Sequence, residues 1–463
     1  MLEQVPEGVA LAALLIALLA IAGVGKQYGW GLAMSAAVIA GAMFLPSPIF
    51  WTGPHASYVG ISSRSPALYT STAVLIAATM LPLRRAPPSI GLMSLLSTGY
   101  LGLGFVVFWP TEALVLSGVT HFLVALLAFH LGIRLALSGL LLTGTYEKFL
   151  AIIVLALLGQ LLLCIVQLFG YPLSIYPDIS NFLAEGRVVG SFNHPSTLGK
   201  FCLVLVPVVA PTFFSRGLSF RLGWSIAVLT VVLSGLTRAR ANTLAICVAL
   251  GIVALVGLMK QNRGLSGRRV LTIAACGAAA AGALSVTFQR LGFKDSGDRQ
   301  HFMEVALNAL GSVWRTGLGA NRYLEVIGPT DALSAAGFPV HNFVVLLAVE
   351  LGVVGMALVA YPAWITLGTS VRACFSLSSR STWAIGYMAS VPGLLIIGLT
   401  GWGMLAGTTL HFWYFCTGLS YGMLRLQRSS AADVASRDLF TIYGPDPRVD
   451  VRHSENLVDR RRR

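Results

Sequence analysis

Charge is what this sequence has least of. Asp, Glu, Lys and Arg supply 11% of its 463 residues, where an ordinary soluble domain carries about 25%. That shortage excludes a soluble globular enzyme. Acids are the scarcer sign, 18 against 32 Lys and Arg. They are scattered, with no Asp-x-Asp pair and no His/Cys cluster of the kind that holds Mg2+, Mn2+ or Zn2+. A metal-independent reaction without a cofactor is therefore the expectation. The 6 cysteines include no CxxC pair and sit in or beside apolar runs, so they read as small hydrophobes and a disulfide scaffold is excluded. A Walker loop, a dinucleotide fingerprint and a Gly-x-Ser-x-Gly elbow are also missing, which removes support for nucleotide-driven transport and serine hydrolysis.

What the chain has instead is apolar length: 56% hydrophobic residues and a mean hydropathy of +0.78. A helix needs about 20 mostly apolar residues to cross a bilayer, because lipid offers the backbone no hydrogen-bond partner. Thirteen runs meet that need, at 6–25, 29–47, 66–83, 90–109, 113–133, 149–169, 196–214, 222–237, 241–259, 270–288, 341–361, 382–400 and 403–424. The expected fold is all-α, a polytopic integral membrane protein of 12–13 spans. Residues 1–424 form one transmembrane domain, and 425–463 form a cytoplasmic, largely disordered Arg-rich tail. The first run lacks a basic start and is followed by further spans, so it is not read as a cleaved signal.

The net charge of +14 does not point to nucleic acid, since the basic residues fall between apolar runs. Arg84-Arg85, Arg134 to Lys148, Arg216 to Arg221, Lys260 to Arg269 and Arg372 to Arg380 are cytoplasmic by the positive-inside rule. The opposite face then holds 48–65, 170–195, Arg238-Ala239-Arg240 and one large loop, 289–340. An odd number of spans places the N-terminus on that face. Within the loop, the spacing of Phe302, Val305, Ala306, Ala309, Leu310 and Val313 predicts an amphipathic helix from Asp298 to Trp314.

Candidate chemistry lies on the same face. His341 stands at the mouth of an apolar helix, where it can take a proton from a hydroxyl near neutral pH, or simply cap the helix. Glu350 lies about 13 Å deeper on that helix. It is too far along to orient His341 and reads as a buried anchor that needs a partner. Arg187, Arg238, Arg240 and Arg299 suit a diphosphate, each guanidinium offering paired donors and a permanent charge; the plainer alternative is snorkelling to lipid headgroups. His194 before Pro195 can bind substrate or serve as a turn residue. Gly317-Leu318-Gly319 marks a glycine turn.

Taken in order, four blocks resemble the O-antigen ligase and O-antigen polymerase family of bacterial membrane glycosyltransferases. Arg187 to Lys200 is similar to that family's Arg…Gly-x-Phe-x-His-Pro-Asn stretch, and Leu236 to Ala245 to its Ser-Arg-Gly helix start, with Arg240 at the arginine. Asp298-Arg299 through Gly319 is similar to its Arg…helix…Gly-x-Gly segment, and His341-Asn342…Glu350-x-Gly352 to its closing motif. Ser196, Ala239 and Ala241 depart from the pattern. The resemblance covers about residues 185–360. It implies inverting transfer of a glycan from a polyprenyl-diphosphate carrier to an acceptor hydroxyl on a glycolipid or other glycan, at the outer face of the bacterial cytoplasmic membrane. In that scheme His341, Arg240 and Arg299 are catalytic, while Arg187, His194, Arg238, Asn342, Gly317 and Gly319 bind substrate. Ligase is the first expectation, since one outer loop dominates, and a polymerase joining lipid-linked repeats is the alternative. From another class, a transporter would use His121, His130 and Arg134 of the fifth span as its path.

Overall fold

A computed structural model of the chain describes residues 29–44, 48–51, 67–69, 72, 74–76, 87–108, 112–140, 144–173, 179–260, 296–375, 381–401, 403–405 and 407–443. They form a polytopic helical membrane protein. In order come α1 (Trp30–Phe44), β1 (Pro48–Trp51), β2 (Ala67–Tyr69), α2 (Pro88–Val107), α3 (Glu112–Leu137), α4 (Thr145–Leu168), α5 (Ser180–Ala184), α6 (Pro195–Val204), α7 (Val206–Val209) and a 3-10 turn (Ala210–Phe214). There follow α8 (Leu218–Leu236), α9 (Arg240–Lys260), α10 (Ser296–Val313), α11 (Tyr323–Ile327), α12 (Ala332–Ala335), α13 (Phe343–Val359), α14 (Tyr361–Phe375), α15 (Thr382–Leu399) and α16 (Gly407–Tyr443).

Among the described residues, seven helical segments are long and apolar enough to cross a membrane, and an eighth if α13 and α14, bent by 40°, count as one. The seven match the runs expected at 90–109, 113–133, 149–169, 196–214, 222–237, 241–259 and 382–400. Those expected at 6–25 and 270–288 lie outside the described residues. Three others differ from expectation. The run at 29–47 gives a helix of 15 residues. The run at 66–83 opens as strand β2, which pairs antiparallel with β1 in a short hairpin on an otherwise helical fold. The run at 403–424 is only the first part of α16, a 37-residue helix that continues through 425–443. This corrects the expectation of a disordered tail from 425: no Gly or Pro interrupts the chain before Gly444-Pro445, and Ser381 Oγ donates to Gln427 at 2.6 Å.

Small residues set the packing, as they do wherever lipid removes the hydrophobic incentive for helices to associate. α16 lies along α3 in the most extensive helix contact of the fold. A β-carbon at Gly418 would collide with the Phe129 carbonyl, one at Gly132 with the Phe415 carbonyl, and one at Gly422 would stand 2.6 Å from Ala136 Cβ. The 196–214 span is broken, since Pro207 and Pro211 remove backbone donors. On the outward side of α2, Leu95, Leu103, Val106 and Val107 are more than 60% exposed, a face suited to lipid.

The decisive local structure is a backbone clasp. Helix α13 carries a non-helical residue, Gly352 (φ 68°, ψ 169°), which frees carbonyls one turn above it. Each finds a partner elsewhere. Leu318 N donates to the Val349 carbonyl at 2.9 Å, Gly319 N to the Glu350 carbonyl at 2.9 Å, and the Tyr100 hydroxyl to the Leu351 carbonyl at 2.6 Å. In return Val353 N donates to the Trp314 carbonyl at 2.8 Å. The approach leaves no room for side chains: a β-carbon at Gly317 would strike the Glu350 carbonyl, and one at Gly352 would lie 2.5 Å from the Arg315 carbonyl. Gly317 also has φ +71°, a conformation that L side chains avoid. Gly317→Ala is therefore expected to cost at least about 2 kcal/mol and to lower the melting temperature of the detergent-solubilised protein. Gly311→Ala, in open space on α10, should leave it unchanged or slightly higher; equal melting of the two variants would contradict the clasp.

Candidate active site

Two glutamines on α4 build one wall. Gln167 Oε1 accepts from Val189 N at 3.0 Å and Gly190 N at 2.9 Å, and its amide donates to the Gly190 carbonyl at 2.7 Å. Gln160 accepts from Ser191 N at 3.1 Å and donates to Ser191 Oγ and the Met43 carbonyl. These bonds replace the strand or helix partners that loop 188–191 lacks. The loop in turn presents Arg187, whose guanidinium lies 5.6 Å above the Phe182 ring. The other side of this group is His194, edge-on to the same ring at 5.0 Å. Phe182, absent from the sequence expectations, is thus the platform between two of the expected polar residues.

Helix starts gather at the same end. His194 caps α6, its Nδ1 accepting from Ser196 N at 3.1 Å, with Pro195 in the first turn. Asn242, in the first turn of α9, donates through Nδ2 to the Ser196 carbonyl at 2.7 Å, which binds the start of α9, and so Arg240, to the start of α6. Asn342 caps α13, its Oδ1 accepting from Val344 N and Val345 N. Arg238, held at φ +52°, donates to the Glu185 carbonyl at 2.9 Å. Its fixed role is to tie the α8–α9 turn to the Arg187 loop. Helix N-termini carry partial positive charge, so this end of the molecule favours an anion before any side chain is counted.

His341 stands one residue before the Asn342 cap, its ring tilted on Phe302 of α10 at 5.4 Å. Burial, then the charges of Arg299 and Lys200, hold its pKa below the usual 6.5, while the Pro339 carbonyl works the other way. Enclosure by protein, then Lys200, Arg187 and His341, pull His194 down to about 3. The His194 ring nevertheless keeps accessible surface, as a side chain on the wall of a recess does. These mutual effects show that Arg187, His194, Arg299 and His341 share one neighbourhood, together with Lys200. Of Arg187, Lys200, Arg299 and His341, only Arg187 has a carboxylate partner among the described residues, Glu185 at 3.3 Å on the exposed side.

No protein-family model matches this chain, and no curated protein matches its sequence. The chemistry must be argued from the residues.

Other expected residues lie apart from this recess. Gly317, Gly319 and Glu350 belong to the clasp. Glu350 is fully buried and accepts from Asn321 N at 2.9 Å and Tyr323 N at 3.2 Å, so its partners are backbone amides. The cavity on that side, about 150 Å³, is lined by Tyr100, Leu103, Val107, Phe108 and Val119 and is apolar. The histidines of the transporter reading are engaged within the bundle. His121 bonds the Leu405 carbonyl at 2.8 Å, His411 the His121 carbonyl at 3.2 Å, and His130 bonds Ser94. Lys200 was overlooked in the sequence, although a lysine inside an apolar run is a signal in itself.

Both recess histidines bind their protons more weakly than free imidazole, so each takes up a proton at a lower pH than free imidazole does. Arg299→Gln removes one repelling charge and should move the His341 titration upward, measured by NMR of histidine-labelled protein. An unmoved titration would separate Arg299 from this site.

Proposed function

We propose that the protein is a glycosyltransferase that moves a glycan from a polyprenyl-diphosphate carrier to an acceptor hydroxyl at the outer face of a bacterial cytoplasmic membrane. The observation that carries this reading is His341, packed on Phe302 just before the Asn342 cap of α13 and within reach of the charges of Arg299 and Lys200, which with burial lower its pKa. Such a recess suits a substrate that brings its own negative charge and gives up a proton to a base.

The chemistry follows from that arrangement. The acceptor oxygen attacks the anomeric carbon, the bond from that carbon to the phosphate oxygen breaks, and the configuration inverts. The electron pair goes to the diphosphate, and Arg187, Arg240 and Arg299 stabilise the charge that builds there. The hydroxyl proton goes to His341, whose Nδ1 is sealed, leaving Nε2 to receive it. Depression of the His341 pKa keeps the base in its active form, at the cost of basicity. The driving force is stored in the sugar–diphosphate bond. The bilayer supplies the carrier's isoprenoid tail, and the acceptor is a glycolipid or another glycan. The reading agrees with the order of motifs along the chain, from Arg187 to Glu350. Of the two family activities, ligase is preferred to polymerase because one loop, 289–340, dominates the outer face.

The test is deletion of the gene in its native host, complemented by wild type, His341→Ala or Arg240→Ala, with surface and lipid-linked glycans resolved by size. Both variants should insert normally and reduce transfer by at least about 100-fold. Accumulation of full-length lipid-linked glycan identifies a ligase, and accumulation of single repeats a polymerase. Unchanged glycans on deletion would refute the proposal. The pH dependence gives a second check. A base with a depressed pKa is lost only as the pH falls through that lower value, so kcat/KM should hold at pH 6.5 and decline below it. A decline beginning above pH 7 would exclude His341 as the base.

A further inference from the structure

One cation has no part in the chemistry above. Lys200 is 6% exposed and sits within the Pro195–Phe214 span, between Leu198, Phe201 and Cys202, all at 0% exposure. An ammonium is strongly hydrated, and holding one at such a place is costly unless an opposite charge meets it. Among the described residues, no carboxylate does. Lys200 stands in the second turn of α6, whose start is tied to that of α9 through Asn242, so the nearest fixed partial charges are helix N-termini, which are positive.

Its position is nonetheless built. The ammonium lies against Gly403, in the turn between α15 and α16, where a β-carbon would collide with Nζ. Glycine there keeps the seat open. Lys200 lies on the helix that His194 caps, one turn after Ser196, whose carbonyl binds Asn242 of α9, so it belongs to the same end of the bundle, and its charge bears on both His194 and His341. A buried lysine with no carboxylate partner among the described residues is a seat for an anion that a ligand can bring.

We propose that Lys200 is a phosphate-binding catalytic residue, its ammonium seated against Gly403 at the floor of the recess to receive the diphosphate of the donor. The assignment rests on the glycosyl-transfer reading and adds a residue to it. As the bond from the anomeric carbon to the phosphate oxygen breaks, the electron pair moves onto the diphosphate and Lys200 donates a hydrogen bond to it. The proton of the acceptor hydroxyl still goes to His341, and polyprenyl diphosphate leaves.

The full-length protein in phosphatidylcholine nanodiscs, titrated with farnesyl diphosphate, tests this. Wild type should bind, and Lys200→Met should bind about tenfold to a hundredfold more weakly, with Lys200→Arg between them. Without the probe, Lys200→Met should melt at or above wild type, because the substitution removes an uncompensated buried charge. A lysine held for structure predicts lower melting instead, and that result would overturn the proposal. Gly403→Ala, which keeps the lysine but fills its seat, should also weaken binding, and it decides the matter if Lys200→Met does not fold. Undiminished binding by the variant that folds overturns the role of Lys200 and leaves the transfer reading standing. Failure of wild type to bind overturns both. Competition by phosphatidylglycerol discs that abolishes farnesyl diphosphate binding would assign Lys200 to bilayer phospholipid and overturn the donor assignment.

Discussion

The structure depends on how a membrane helix is allowed to break. A kink in α13 exposes backbone carbonyls at a depth where water cannot satisfy them, and such a break survives only if other groups supply the missing hydrogen bonds. Here the turn at Gly317-Leu318-Gly319 supplies two through its amides, and Tyr100 a third. The Glu350 carboxylate satisfies the amides of Asn321 and Tyr323 in return. Long loop and transmembrane helix thereby become one rigid object. With the loop fixed at its far end, α10 is carried back across the mouth of α13, where Phe302 meets His341.

Charge placement follows from that framework. Two buried glutamines on α4 hold the Arg187 loop, Asn242 joins the starts of α6 and α9, and Arg238 ties the turn between α8 and α9 to the carbonyl of Glu185. None of these contacts is chemistry. Their effect is to hold cations and helix N-termini together against mutual repulsion, with the exposed Arg187–Glu185 pair offsetting part of it. Burial first, and then the neighbouring positive charges, hold the pKa of both His194 and His341 below the usual value.

Sequence reading reached the helices through their apolar runs, because lipid imposes one solution on every such run. It failed where another force decided the outcome. The first half of α16 carries Thr408, Thr409, His411, Thr417 and Ser420, all buried rather than exposed to lipid, and hydropathy misplaces the end of the helix. The amphipathic spacing at Phe302, Val305, Ala306 and Ala309 located α10 well, as its periodicity reflects one buried face. At the site, Arg187, His194 and Arg299 were visible as polar residues outside apolar runs, and His341 as one at the mouth of such a run. Gly317, Gly319 and Glu350 were also visible, but their mutual contact spans 31 to 33 residues of chain and has no local signature. Lys200 and Gln160 were hidden by the opposite effect, because a single polar residue hardly disturbs the mean hydropathy of a span.

The most direct measurement is a cryo-EM structure of the protein in nanodiscs with a polyprenyl diphosphate. The account predicts phosphate density in the recess, within hydrogen-bonding distance of Arg187, Arg240 and Arg299 and beside His341. Density in the bundle near His121 and His411, with the recess empty, would contradict it and favour a transport path through α3.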